Sequence, residues 1–180
     1  ISVKKDDGAM KIAFQIQCPG FNFDLSRAGK GVSNGWFFFS CYNTEQANTL
    51  LEVNASQRDK DFIMAVNWKK AEEYIKAGKA KKMPAKYAHN KYNEKTHTAT
   101  SEMKSEVLVL DAKALKDICY FIPCPKSPHG CDVDPTGEFI VGSGKLAALI
   151  PVFSFDKLQA AIKGKKFEGD YGGIPVVKYE

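Results

Sequence analysis

The chain has 180 residues, of which 44% are hydrophobic and 12% aromatic, so it can bury a normal core and is not disordered throughout. Its net charge of +5 is modest, and no stretch approaches the roughly 20 apolar residues of a membrane-spanning helix. We therefore expect one folded domain without a membrane span.

The first predicted strands lie at 11–17 and 35–41, where apolar and polar residues alternate between glycines. Tyr42-Asn43-Thr44-Glu45 leaves the second strand, and Asp59 follows Glu45 by fourteen residues. Two carboxylates together with backbone carbonyls suit Ca²⁺, which takes six to eight oxygen ligands. From these residues alone, ordinary surface acids are the better interpretation.

Three β-rich segments each end on a residue that can cap the short helix predicted after it. The cap positions are Asn67, Asp111 and Asp156, which are 44 and 45 residues apart. A repeat of roughly 40–45 residues built from short strands is typical of β-propeller blades. Coincidence among common strand–helix units is the alternative.

A polar, lysine-rich region at about 78–104 shows no periodicity, and we predict a surface loop or insertion there. Nine lysines fall between Lys69 and Lys95. Such a run favours a solvated face, with docking of an acidic partner as the lesser alternative. It contains no arginine, which disfavours nucleic-acid binding. We interpret His89 and His97 in this region as surface residues.

The motif Ser127-Pro128-His129-Gly130 precedes a predicted hairpin, in which Asp134-Pro135-Thr136-Gly137 reverses the chain between 131–133 and 138–141. Proline stiffens the first turn and glycine lets the chain reverse directly after the histidine. This turn would aim the imidazole toward the end or the axis of a propeller. A lone histidine at a turn is otherwise more often a simple hydrogen-bonding side chain.

The five cysteines form no Cys-x-x-Cys pair. Small, buried, reduced side chains on strands are the favoured interpretation. Their odd number leaves at least one free thiol or one intermolecular bond.

Several ordered motifs resemble the nitrous oxide reductase family. The stretch from Ser127 to Phe139, followed by Gly144-Lys145-Leu146, is similar to the family's Asn-Pro-His-Gly-Cys-Asn, turn and Gly-Lys-Leu-Ser. Further matches occur upstream in the same order: Ala13-Phe14-Gln15-Ile16, Tyr42-Asn43-Thr44-Glu45, Arg58-Asp59 and the segment Asn67 to Gly78. The resemblance covers nearly the whole chain except 78–102.

This resemblance implies an all-β fold, namely consecutive blades of a seven-bladed β-propeller with short helices after the outer strands. Residues 1–180 would form about three to four blades of one domain. The family's propeller holds a tetranuclear copper–sulfide cluster, CuZ, on histidines from different blades. A C-terminal cupredoxin domain, absent from this chain, holds the electron-accepting CuA centre. The enzyme is a periplasmic homodimer.

The resemblance also implies site residues. His129 matches one copper-ligating histidine of CuZ. Tyr42, Glu45 and Asp59 match calcium ligands, and Val53 matches a position that ligates through its main-chain oxygen. Ser127 stands where the family usually has a calcium-ligating asparagine, so this ligand is either supplied by a carbonyl or lost.

The implied activity is the two-electron reduction of N₂O to N₂ and water in denitrification, with electrons from a c-type cytochrome or a cupredoxin. This chain lacks the other copper ligands, so we expect the segment alone to be inactive. The alternative is a non-enzymatic propeller that serves as a binding scaffold and has lost the metal centre. Histidines in neighbouring blades and a cupredoxin-type cysteine cluster in the flanking sequence would favour the enzyme.

Overall fold

The computed structural model describes residues 2–3, 10–19, 22–44, 61–84, 90–93, 95, 98–101 and 106–179. Most of the regular structure in these residues is β-strand, which confirms the predicted all-β class. The chain divides into two compact units. The first comprises Ile1–Gln17 and Glu72–Asp111, and the second comprises Cys18–Ala71 and Ala112–Glu180.

The described residues contain two α-helices and sixteen short strands. The helices are α1 (Trp68–Lys76) and α2 (Phe155–Lys163). The strands are β1 (Ser2–Val3), β2 (Met10–Lys11), β3 (Gln15–Gln17), β4 (Asn22–Ala28), β5 (Trp36–Tyr42), β6 (Asp61–Asn67), β7 (Lys81–Pro84), β8 (Asn90–Asn93), β9 (Thr98–Ser101), β10 (Glu106–Asp111), β11 (Cys119–Cys124), β12 (Cys131–Val133), β13 (Phe139–Gly142), β14 (Val152–Ser154), β15 (Phe167–Tyr171) and β16 (Ile174–Val177).

The first unit contains three small sheets. In one of them, β10 pairs in parallel with β3 and antiparallel with β7. Val107 and Val109 of β10 pack against Met83 of β7 and form a small apolar cluster. The strands β1–β2 and β8–β9 form two separate antiparallel pairs.

The second unit contains a six-stranded sheet in the order β15-β16-β11-β6-β5-β4 and a three-stranded antiparallel sheet of β12, β13 and β14. The larger sheet is antiparallel apart from the β11–β16 pair. β6 lies between β5 and β11, and its apolar run from Phe62 to Val66 is buried. A continuous apolar run of this length is typical of a strand covered on both faces. The main hydrophobic core lies in this unit and includes the fully buried residues Phe38, Ile63, Ile122, Ile140 and Leu158.

The predicted hairpin at 131–141 is confirmed, because β12 and β13 pair antiparallel in the register Cys131↔Gly142. In the turn, Gly137 has a φ of +80°, and a Cβ there would lie 1.8 Å from the carbonyl oxygen of Lys30. Glycine is therefore required by both conformation and space. The predicted strand at 35–41 is also confirmed as β5, whereas only 15–17 of the predicted strand 11–17 forms β3.

The three predicted helix caps have different outcomes. Asn67 caps α1, because its side-chain oxygen accepts a hydrogen bond from the backbone N–H of Lys70 at 2.9 Å. The third cap is wrong by two residues, since Ser154 caps α2 and Asp156 lies in the first helical turn. No helix follows Asp111, where residues 112–118 form turns instead. The N–H of Ile118 donates to the Leu115 carbonyl, and the carbonyl of Ile118 accepts from the N–H of Asn67, so this turn is tied to the end of β6.

The strands of the proposed repeat lie in three different sheets, with β6, β10 and β14 each in its own. β6, β10 and β14 therefore do not pair in one sheet, an arrangement that would have refuted the propeller. Their arrangement as four-stranded blades stays a prediction, as does the single-domain organisation. The lysine-rich region predicted as a loop contains β7, β8 and β9, because pairing with β10 and within the β8–β9 hairpin satisfies its backbone. Neither helix of the described residues has the length and apolar character needed to cross a bilayer.

Candidate functional site

His129 lies in the connection between β11 and β12, and its side chain is 57% exposed. Its ring nitrogen Nδ1 lies 2.6 Å from the Oδ2 oxygen of Asp24, whose side chain is 25% exposed. Asp24 belongs to β4. The nitrogen and the oxygen are close enough for a charge-assisted hydrogen bond.

The Asp24 carboxylate determines which ring nitrogen of His129 carries the proton. In the neutral imidazole, Nδ1–H donates to Asp24, which leaves the lone pair of Nε2 available. Within the described part of the chain, Nε2 makes no hydrogen bond. A histidine anchored through one nitrogen and open at the other is the usual arrangement of a metal ligand.

A β-bulge places Asp24 at this position. The register between β4 and β5 shifts between Phe23 and Ser26, which inserts one extra residue into β4. Bulges redirect side chains, and here the bulged segment contains Asp24 and Leu25. The carbonyl of Leu25 accepts hydrogen bonds from the Ser40 hydroxyl at 3.2 Å and the Cys131 thiol at 3.8 Å. These bonds join the bulge to β5 and β12.

The turn that carries His129 is anchored on both sides. Before it, the backbone N–H of Ser127 donates to Oδ2 of Asp61 at 2.7 Å. Pro128 is fully buried. After it, the N–H of Gly130 donates to the Ser143 hydroxyl at 2.8 Å, and the N–H of Ser143 donates to the Gly130 carbonyl at 2.9 Å. The backbone on either side of His129 is therefore fixed.

Asp61 also joins this turn to the end of β5. Its side chain is buried, and its Oδ1 oxygen accepts hydrogen bonds from the N–H and the hydroxyl of Thr44, at 3.3 and 2.8 Å. The carbonyl of Thr44 accepts a hydrogen bond from the Tyr171 hydroxyl. The carboxylate of Asp61 therefore brings together Ser127 and Thr44, the residue directly before Glu45.

Of the predicted calcium ligands, the structure describes two. Tyr42 is half-buried at the end of β5, and Ser127 is buried. Glu45, Val53 and Asp59 lie outside the described residues, as do His89 and His97. Among the residues that the structure describes, no group of three or more His, Cys, Asp or Glu is placed to hold a metal ion.

Comparison with known proteins finds two distant relatives that share one name. No protein-family model matches the chain. A nitrous-oxide reductase of Stutzerimonas stutzeri is 25% identical over 162 residues, which are 89% of this chain and 22% of that protein. One of Pseudomonas fluorescens is 27% identical over 156 residues, 86% of this chain and 21% of that protein. The chain is a distant, partial match to nitrous-oxide reductases. It spans about a fifth of the length of these relatives.

The donor set fits one ligand of a copper site. Imidazole is a common copper ligand, and His129 offers Nε2 on an exposed ring whose other nitrogen is held by Asp24. A multinuclear cluster needs several such ligands. The only other histidines in the sequence are His89 and His97. The described residues therefore fit a single ligand, and the other ligands of any such cluster would have to come from elsewhere.

An open groove of about 850 Å³ adjoins His129. Its apolar lining includes Leu25, Leu149 and Ile150, which are 54%, 54% and 72% exposed. Contiguous exposed apolar side chains are typical of a surface that another segment or protein covers.

The positions of the cysteines agree in part with the prediction that they are buried on strands. Four are buried on strands: Cys41, Cys119, Cys124 and Cys131. Burial raises the pKa of the Cys124 thiol to about 12 and that of Cys41 well above its usual range. Such thiols stay protonated at neutral pH and are poor metal ligands. Cys18 is half-buried and lies outside the strands.

Sequence reasoning singled out His129 as a candidate but did not single out Asp24 or Asp61, which the structure places around its turn. Asp24 stands 105 residues from His129, and Asp61 stands 66 residues from Ser127. The only local signal was at Asp61, a carboxylate directly before the apolar run of β6. A charged residue that starts a buried strand needs partners, and that rule alone would have singled it out.

Proposed function

We propose that this chain forms part of the N-terminal β-propeller of a nitrous oxide reductase, and that His129 is one of the histidines that hold its copper cluster. The observation that carries the proposal is the bond between Nδ1 of His129 and Asp24, which leaves Nε2 available on a turn anchored at both ends. The partial similarity to two nitrous-oxide reductases supports it.

The residues of this chain would act by positioning. Asp24 would keep the proton of His129 on Nδ1, so that Nε2 presents its lone pair. Asp61 and Ser143 would hold the backbone of the turn and thereby set the direction of the ring. The copper cluster, when bound, supplies the two-electron reduction of N₂O to N₂ and water. Electrons would come through CuA from a c-type cytochrome or a cupredoxin.

We also propose a structural calcium site formed by Tyr42, Glu45, Val53, Asp59 and Ser127. The link through Asp61 supports it, because the hydrogen bonds of this carboxylate join Ser127 to Thr44. Ser127 has a φ of +53°, a left-handed conformation that asparagine adopts more readily than most residues. The position therefore also suits the asparagine that is usual in the family. With serine here, ligation through a main-chain oxygen is the expected substitute.

The wider biology follows from the proposed family. We propose a periplasmic protein that acts as a homodimer in denitrification, with N₂O as substrate. A propeller needs further blades beside the described strands, and the exposed apolar groove near His129 is a surface that such a blade would cover.

Substitution of His129 in the full-length protein tests the proposal. His129→Ala should deplete the copper–sulfide cluster and abolish N₂O reduction while CuA still accepts electrons, because one anchor of the cage is lost. Asp24→Asn should weaken copper binding about 10- to 100-fold, the usual effect of losing such a supporting carboxylate. Copper content and N₂O consumption are the measurements.

His89→Ala and His97→Ala are the matched controls, and both should leave copper content unchanged. A His129→Ala protein with full cluster copper and normal turnover would refute the assignment. Native full-length protein that holds no copper would instead favour the scaffold alternative.

A further inference from the structure

We propose that a hollow beside the end of α2 binds a small aromatic carboxylate. The hollow has a volume of about 570 Å³, and the residues that line it include Tyr120, Ile162, Lys165, Phe167, Gly169 and Pro175. We call it the Lys165 hollow. All of these residues belong to the second compact unit. The volume lies in the range of roughly 300–1,000 Å³ that small-molecule sites occupy.

The wall of the Lys165 hollow is aromatic and apolar. The rings of Tyr120 and Phe167 are stacked, with centroids 6.1 Å apart and an angle of 19° between their planes. Tyr120 is buried, whereas Phe167, Ile162 and Pro175 are half-buried and line the hollow with apolar surface. A Cβ added to Gly169 would meet nothing within 4 Å, so the space beside it is open. Because aromatic side chains contact other rings in stacked or edge-on geometry, this wall favours a planar apolar ligand.

The charged residues that line the hollow include one lysine without an ion pair. Lys116 and Asp170 pair with each other, with 3.8 Å between Nζ and Oδ2, and Asp117 has a partner as well. Within the part of the chain that the structure describes, Lys165 forms no ion pair. An ammonium group donates charge-assisted hydrogen bonds to a carboxylate. The hollow therefore favours a ligand with one negative group.

The backbone of Lys165 has a conformation that is usual for glycine. α2 ends in a Schellman motif, in which the N–H of Lys166 donates to the carbonyl of Ala161 at 2.9 Å. The N–H of Lys165 donates to the carbonyl of Ile162 at 3.1 Å. Lys165 is the left-handed residue of this motif, with a φ of +53°. Gly164 precedes it with a φ of −79°, which other residues adopt without strain.

This conformation indicates that the side chain at position 165 has a role in binding. A lysine is strained at positive φ, where glycine is not. Strained residues cluster at ligand sites. Lys165 is exposed, so packing in the core does not account for its presence. The strained backbone and the ammonium group without an ion pair both point to contact between Lys165 and an anion in the hollow.

Calorimetric titration of the full-length protein with three related compounds tests the proposal. The first, 2-naphthoate, has planar rings and a carboxylate. The amide 2-naphthamide keeps the rings without the charge, and cyclohexanecarboxylate keeps the charge without an aromatic ring. Naphthoate should bind about fivefold more tightly than either of the others, because each lacks one of the two contacts. Equal affinity for naphthoate and naphthamide, or no binding of naphthoate to the folded protein, would overturn the proposal.

Substitution of two neighbouring lysines tests which of them contacts the carboxylate. Lys165→Gln should weaken the binding of naphthoate about fivefold and leave that of naphthamide unchanged. Lys166→Gln is the matched control, because Lys166 is also exposed but lines a different hollow. It should leave both affinities unchanged. Equal losses in the two variants would show that general positive charge attracts the anion, which would overturn the assignment to Lys165.

Lys165→Gly separates binding from folding. Glycine suits the left-handed position of the motif, so the thermal midpoint should rise while the affinity for naphthoate falls as in Lys165→Gln. A variant that gains stability and loses binding has not lost binding through misfolding. Full affinity for naphthoate in Lys165→Gly would contradict the proposal. These titrations do not depend on copper, so their outcome is independent of the proposed function.

Discussion

Asp61 is a buried carboxylate of the candidate site, and its oxygens accept several hydrogen bonds. It starts the buried strand β6, and its carboxylate accepts hydrogen bonds from two groups of Thr44 and from the N–H of Ser127. A buried carboxylate without partners would be costly. The same bonds hold two segments in place, so Asp61 connects the stability of the fold to the position of His129.

Asp61→Ala should lower the free energy of unfolding by about 3 kcal/mol, because it leaves the buried donors of Thr44 and Ser127 without an acceptor. Urea unfolding of the full-length protein measures this change. Asp132→Ala is the matched control. Asp132 is exposed and forms an ion pair with Arg27 at 2.9 Å, which contributes less than about 1 kcal/mol. Equal losses in the two variants would contradict this account of Asp61.

Among the elements, α2 has an observed N-cap, Ser154, that differs from the predicted one, Asp156. Substitution of each residue tests which of them caps the helix. Ser154→Ala should cost about 1 kcal/mol, because the Ser154 hydroxyl accepts a hydrogen bond from the N–H of Lys157 at 3.1 Å. Asp156→Ala should cost less than about 0.5 kcal/mol, since only a favourable charge in the first turn is lost. Denaturant midpoints of the two variants decide between the caps. A larger loss for Asp156→Ala would restore the original prediction.

The stability of the turn between β12 and β13 should depend on pH, because the turn contains Asp134. Hydrogen bonds from the Thr136 hydroxyl and from the N–H groups of Phe139 and Thr136 lower the pKa of Asp134 to about 2. Because the folded pKa lies below the usual value of about 3.9, the stabilisation is present above about pH 4 and is lost as the pH falls toward 2.

Carboxyl NMR titration measures the pKa of Asp134 directly. Thr136→Ala should raise it toward its ordinary value, because the hydroxyl has the largest effect on this pKa. An unchanged pKa for Asp134 would show that the hydroxyl does not control it.

At the scale of the whole molecule, the chain contains three histidines and spans about a fifth of the relatives that it resembles. We therefore expect the 180-residue chain alone to reduce no N₂O at any copper concentration, because the other ligands of the proposed cluster and the CuA centre lie outside it. Copper titration and an N₂O assay on the segment, beside the full-length protein, provide the measurement. Turnover by the segment would refute a shared copper centre.

Features that depend on near neighbours in the chain could be predicted from the amino-acid sequence. The β12–β13 hairpin follows from Asp134, Pro135 and Gly137, and the cap of α1 follows from Asn67, because each interaction joins residues a few positions apart. The burial of β6 likewise follows from its apolar run. These are local properties of the chain, and they hold wherever the strands pack.

The residues that surround His129 could not be predicted in this way, because they come from distant parts of the chain. Asp24 contacts His129 from 105 residues away in the sequence, and it is positioned by a bulge that no local pattern predicts. Asp61 contacts Ser127 from 66 residues away. Turns replaced the helix expected after Asp111, and the lysine-rich region gained strands through pairing with β10. Strand pairing and register set these outcomes. They depend on the free energy of the assembled sheets, which a local pattern does not contain.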